Sequence, residues 1–325
     1  MLSTATVSGM DAQTAGKTAR TLELLHSLAY FVPETEKELV GVGLEPGRMV
    51  YFAGRSAPLG APPATVVTAT FFNFNPELIA SVIPRAWELA RPTEVVAARY
   101  RAIDAAYVRL FGADVTGSAD MAEAAELVSI AAQNIPGVDG RTLYAGWASL
   151  DWPAEPHLRF WHALTLLREY RGDGHIAALQ TAGLNGLDAL ITHTATGIGF
   201  QRKFAQTRRG WSQEQWDEAV ESLKDRELLD RSSGALTEDG QDLRDVVEDL
   251  TDDLALAPWE ALGEEGAKRL LELATPWRAA LVEQEVFRRR CSGPASANFA
   301  EWSPPDQCVC DEESHSLWAC GVYCK

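Results

Sequence analysis

Cysteine is absent from the first 290 residues of this 325-residue chain; all five fall later, as Cys291, Cys308, Cys310, Cys320 and Cys324. A secreted disulfide scaffold spreads its cysteines through the fold, so the body is not one. Basic residues are also scarce, 29 Lys and Arg against 46 Asp and Glu, for a formal net charge of −17. So acidic a chain repels phosphate backbones and anionic lipid, and binding to nucleic acid would need a local basic patch. No apolar run approaches the roughly 18 residues of a membrane span. Residues 1–20 lack the apolar stretch of a signal peptide and read as a loose arm, so a cytoplasmic protein is expected. A P-loop, a Gly-rich dinucleotide turn and a Gly-x-Ser-x-Gly elbow are all missing, which removes those enzyme classes. Strand signals are few, so the body is expected to be all-α or nearly so.

What is present is helical text punctuated by Pro and Gly. Leu22, Leu25, Leu28 and Ala29 recur at helical spacing until Pro33. A Gly/Pro-rich loop is expected over 41–63, then helices over 64–74, 76–89, 92–111, 119–133 and 158–171, several with Pro in the first turn. From His175 the pattern changes to helix, tight turn at Gly183-Leu184-Asn185, and helix to Thr196. Ser212 and Gln215 form a capping box for the next helix. Residues 230–237 read as a small β-hairpin, or wing, and Thr237 caps the helix after it. A last helix is expected over 264–289. The length suits about two domains. The expected organisation is an arm at 1–19, a helical domain at 20–157, a winged-helix-like helical domain at 158–290 and a cysteine-rich irregular tail at 291–325.

Five stretches resemble a helix-turn-helix (winged-helix) family of actinobacteria: 51–60 (YFAGRSAPLG), 71–76 (FFNFNP), 167–175 (LREYRGDGH), 209–216 (RGWSQEQW) and 258–263 (PWEALG). The resemblance covers about residues 20–285. It implies a helical body with a winged-helix portion and carries no established activity; the tail lies outside it.

The winged-helix portion has few cations for DNA. Residues 212–226 hold five acids against Lys224 and Arg226, and 236–265 hold eleven against Arg244 alone. The candidate recognition helix 186–196 has Asp188 and no base. Only Arg202, Lys203, Arg208 and Arg209 cluster, so DNA is an unfavoured partner and a packing or peptide-binding scaffold the favoured reading. The densest polar cluster is 168–175. Gly172 and Gly174 allow a sharp turn between two helices, on which Arg168, Glu169, Arg171 and Asp173, with Arg55, converge on a ligand. The competing reading is an ion-paired corner. Glu23 and His26 have Glu-x-x-His spacing, and His162 and His175 flank the polar cluster. A transition-metal site (Cu, Fe or Zn) on His26, His162 and His175 is therefore a candidate, weighed against three structural histidines.

The tail leaves three readings open. Cys308-x-Cys310-x9-Cys320-x3-Cys324 is a poor zinc pattern, though His315 allows a metal clip. A disulfide staple is disfavoured in a reducing compartment. The third reading is the core peptide of a ribosomally synthesised natural product. Ser303, Ser314 and Ser316 can lose water and accept cysteine thiolates, while Trp302, Trp318 and Tyr323 suit oxidative crosslinks. Arg288-Arg289-Arg290 offers a protease site. On this reading the body binds its own fused tail, with maturation enzymes and a protease as partners; Cys308, Cys310, Cys320, Cys324, Trp318 and Tyr323 are the modified positions. The body itself acts as a metal-dependent catalyst, or modification occurs in trans. The alternative function is a ligand-responsive winged-helix transcriptional regulator, its effector held near 168–175 and its tail clipped by metal or disulfide.

Overall fold

Proline and glycine set most helix limits in the computed structural model, which describes residues 10–197 and 201–287. Asp11 caps α1 (Ala12–Ser27) by accepting the Thr14 N–H. The expected loose arm thus gives way to helix from Ala12, because Ala15, Gly16 and Thr18 are buried against other helices. After α2 (Pro33–Gly41), the expected loop over 41–63 contains a helix, α3 (Arg48–Ser56). Met49, Phe52, Ala53 and Ser56 share its buried face, and that helical spacing outweighs the flanking glycines. Gly54 lets Leu39 approach so closely that a Cβ would collide with it.

α4 (Ala64–Phe71) is followed by two short helices, α5 (Pro76–Ala80) and α6 (Arg85–Leu89), where one was expected over 76–89; Pro84 interrupts it. Next come α7 (Pro92–Phe111), α8 (Ala113–Thr116), α9 (Ala119–Gln133) and α10 (Thr142–Ala148). α11 (Pro156–Thr181) runs unbroken through 168–175, so the expected turn at Gly172 and Gly174 does not form. The remaining helices are α12 (Gly186–Ala195), α13 (Arg202–Arg209), α14 (Gln213–Asp225), α15 (Glu238–Leu254) and α16 (Ala257–Glu283). α16 breaks at Gly263, whose φ is +73°.

Among the described residues there is no strand. The expected hairpin is reduced to one antiparallel bridge between Leu229 and Leu236. Asp230 accepts the backbone N–H groups of Ser232 and Ser233, and Thr237 caps α15 at once, leaving no length for a ladder. No helix among the described residues is long and apolar enough to cross a membrane.

Two apolar cores organise the chain, and their division is not the one expected at residue 158. The first gathers α1 to α10, the front of α11 as far as Tyr170, and α16, with Trp147, Trp161 and Trp277 inside. The second begins at Ala178 and holds Leu190, Trp216, Leu223, Leu229 and Val247. α11 belongs to both cores, packing on α9 at one end and α15 at the other. In the second unit, α13, the left-handed Gly210 and α14 form a helix, turn and helix directly before the bridge. α14 is the second helix of that unit, and α12, the expected recognition helix, has Leu187 through Thr192 buried.

Candidate functional site

The side chains of α11 radiate into its neighbours, and those of 168–175 meet a charge from each. Arg55 on α3 donates to both carboxylate oxygens of Glu169, at 3.2 and 3.3 Å, with both side chains 1% exposed. Arg168 Nε donates to Glu23 Oε1 at 3.0 Å and its Nη1 to Glu169 Oε1 at 2.8 Å. Arg171 Nη2 lies 2.6 Å from Asp252 Oδ1 and 3.5 Å from Glu248 Oε2. Asp173 Oδ2 accepts the Tyr144 N–H at the start of α10. Burying charges is costly unless they are paired and hydrogen-bonded, and Arg55, Arg168, Glu169 and Arg171 each have an ion-pair partner in a network that joins α1, α3, α11 and α15.

Gly174 is explained by close approach and not by a turn. A Cβ on Gly174 would run into the Arg141 guanidinium, which donates to the Tyr170 carbonyl at 2.5 Å and the Leu254 carbonyl at 2.9 Å. Gly16 on α1 similarly admits the Asp252 carboxylate, which also holds Arg20. The five expected pocket residues thus separate. Arg168 and Arg171 line a cavity of about 40 Å³ between α1, α11 and Trp259, while Arg55, Glu169 and Asp173 lie outside it. That space is enough for about three water molecules.

His26 and His175 also line the cavity, but the three expected metal ligands do not converge. His162 and His175 are 13 residues apart on one helix, roughly 20 Å along its axis. His26 stacks on Trp161, ring centroids 5.4 Å apart, near the opposite end of α11 from His175. His162 faces away, Nδ1 2.7 Å from the Tyr100 hydroxyl and its ring edge-on to Trp152. Among the described residues no group of three or more His, Cys, Asp or Glu is placed to hold a metal ion. Burial keeps all three imidazoles neutral, lowering His26 and His162 to about 4 and His175 to about 3. The Thr251 hydroxyl donates to the Val247 carbonyl, so it accepts from His175, whose proton is on Nδ1. Among the described residues neither ring nitrogen of His26 has a hydrogen-bond partner; its Nδ1 is 3.9 Å from Glu23 Oε1.

The residues missed from sequence are Arg141, Trp259, Asp252 and Arg20. Asp252 carried a signal, because Arg244, Glu248 and Asp252 repeat every four residues along one face of α15. Arg141 carried none, since it comes from a loop 29 residues before its acceptor Tyr170.

The second surface is the outer face of α14, a shallow concavity lined by Glu214, Asp217, Glu218, Glu221 and Asp225. The cations lie one helix earlier. Arg202 pairs with Asp217, and Arg209 is buried over the Phe74 ring. Lys203 and Arg208 are exposed, and Arg48 from α3 donates to the Thr207 carbonyl beside them. The expected tail positions, Cys308, Cys310, Cys320, Cys324, Trp318 and Tyr323, lie outside the described residues.

Compared with known proteins, residues 15–288 match a helix-turn-helix family. No curated protein and no solved structure matches the chain.

Proposed function

The chain belongs to the helix-turn-helix family, and on that premise we propose that it is a carrier: a helical body that presents residues 291–325 as substrate to separate maturation enzymes. The observation that carries this reading is a boundary. The family match stops at 288, and all five thiols of the chain lie beyond it. A thiol-free body leaves thiolate-directed chemistry no competing target in the same chain. Fusing substrate to its binding domain replaces an encounter in solution by an effective concentration of order millimolar. Arg288, Arg289 and Arg290 then mark the release site. Ser303, Ser314 and Ser316 each lose one water to become dehydroalanine, across which a cysteine thiol adds without further change of mass. Modification in trans is the version supported here, because His162 and His175 are spaced along α11 while His26, on α1, stacks on Trp161, so the three do not converge.

Co-expression with the native neighbouring genes, followed by reduction, alkylation and intact-mass measurement, tests the reading. Losses of water or of hydrogen pairs confined to 291–325 are expected; an unmodified segment with five alkylatable thiols overturns it.

Membership of the family and the cations of α13 favour a second reading, a DNA-binding regulator. Against it stands the charge of α14, the helix before the Leu229–Leu236 bridge, whose outer face carries carboxylates where phosphate contacts would be needed.

A further inference from the structure

Arg48 and Arg208 lie side by side on this acidic protein, and Lys203 is on the same helix as Arg208. Arg48, Lys203 and Arg208 are exposed and form no salt bridge among the described residues, whereas Arg202 is spent on Asp217. Arg48 is anchored by its Nη2, which donates to the Thr207 carbonyl at 3.3 Å in the last turn of α13. That contact brings its guanidinium beside Arg208; burial, and then the like charge of Arg208, lower the Arg48 pKa. Lys203 lies one turn before Thr207 on the same face. Holding like charges together is unfavourable unless an anion is shared between them. Charge-assisted hydrogen bonds from Arg to carboxylate or phosphate answer that need.

We propose that Arg48, Lys203 and Arg208 form the docking surface for the acidic part of this chain's own C-terminal segment, residues 301–313. The inference rests on the carrier reading and adds the place at which the segment is held. Charge complementarity selects the occupant. Residues 291–324 contain Glu301, Asp306, Asp311, Glu312 and Glu313 and no Lys or Arg. Reach does not limit it. From Phe287 to Asp311 is 24 residues, up to roughly 80 Å of extended chain, against a radius of gyration of about 19 Å for a body of this size. A duplex is a poorer occupant, because its next phosphates would meet Glu214 and Glu218 on α14. A short peptide avoids that face.

A zero-length carbodiimide crosslinker joins carboxylates to amines, and Lys203 supplies the only amine of the patch. Full-length protein at low concentration and 20 mM salt, treated and digested from the monomer band, is expected to yield Lys203 linked to a residue within 301–313. The link should fall at least fivefold in 0.5 M salt, where screening acts within a few Å. It should fall similarly in R48E/R208E, a variant that keeps Lys203. The salt titration needs no variant, so a misfolded mutant leaves the test intact. No Lys203 link to 301–313 at low salt, or one indifferent to salt, overturns the proposal. Loss of the link on adding a 20-base-pair duplex that binds below micromolar overturns it in favour of nucleic acid. A modified segment without the link refutes the docking surface and leaves the carrier reading standing; the link on a segment that is never modified does the reverse.

Discussion

Asp252 Oδ1 lies 2.6 Å from Arg171 Nη2, and through this contact α15 is tied to the helix that both cores share. The same carboxylate holds Arg20 and rests on Gly16, so three elements meet at one side chain. Asp252→Asn leaves Arg171 with only Glu248 of these two acids, at 3.5 Å. Breaking a buried pair by removing one partner costs about 3 kcal/mol. The expected fall in Tm is roughly 6–9 °C, measured by circular dichroism; a fall below 2 °C would mean that water already solvates the pair.

Gly174→Ala separates two opposed effects. Alanine is favoured over glycine within a helix by about 1 kcal/mol, so on an open face the change stabilises. Here the methyl displaces Arg141 from the Tyr170 and Leu254 carbonyls, each bond worth roughly 1.5–3 kcal/mol. The loss exceeds the gain, and urea denaturation should show a net destabilisation of about 2 kcal/mol. In an Arg141→Ala background the same glycine change should become neutral or stabilising; an unchanged penalty there would refute the account.

Burial gives the histidines a pH signature. His26 and His162 stay neutral to about pH 4 and His175 to about 3, whereas a free imidazole titrates near 6.5. As pH falls through 6.5 the unfolded chain binds protons that the fold refuses. Stability is therefore full above pH 6.5 and declines below it, approaching about 1.4 kcal/mol per pH unit for each histidine. The urea midpoint followed by tryptophan fluorescence should drop between pH 6.5 and 5.5, before most carboxylates titrate. His26→Gln should make that slope shallower. A midpoint flat over the interval would show that the imidazoles are not held neutral.

The charge of α14 predicts weak binding to duplex DNA. Fluorescence anisotropy with labelled genomic fragments at 150 mM salt should give no dissociation constant tighter than roughly 10 μM, the range of non-specific contacts. Sub-micromolar, sequence-selective binding would transfer the protein to the regulator reading.

Sequence alone determined the helical class, the places of α7, α9 and the Ser212 cap, and the separation of a thiol-free body from a thiol-rich segment. These rest on local rules, apolar periodicity, proline at first turns and composition, which act within a few residues. The tertiary structure decided what Gly174 could not reveal. A glycine permits a turn or a close approach, and only the arrival of Arg141 from the loop before α10 selects the second. It likewise decided that His26, His162 and His175 do not meet, because one unbroken α11 spaces His162 from His175 along its axis and carries Trp161 as the stacking partner of His26. It also decided that α12 is enclosed, since burial of Leu187 to Thr192 depends on the second core closing over them. Partners from distant parts of the chain decide such questions, and no local spacing encodes which partner arrives.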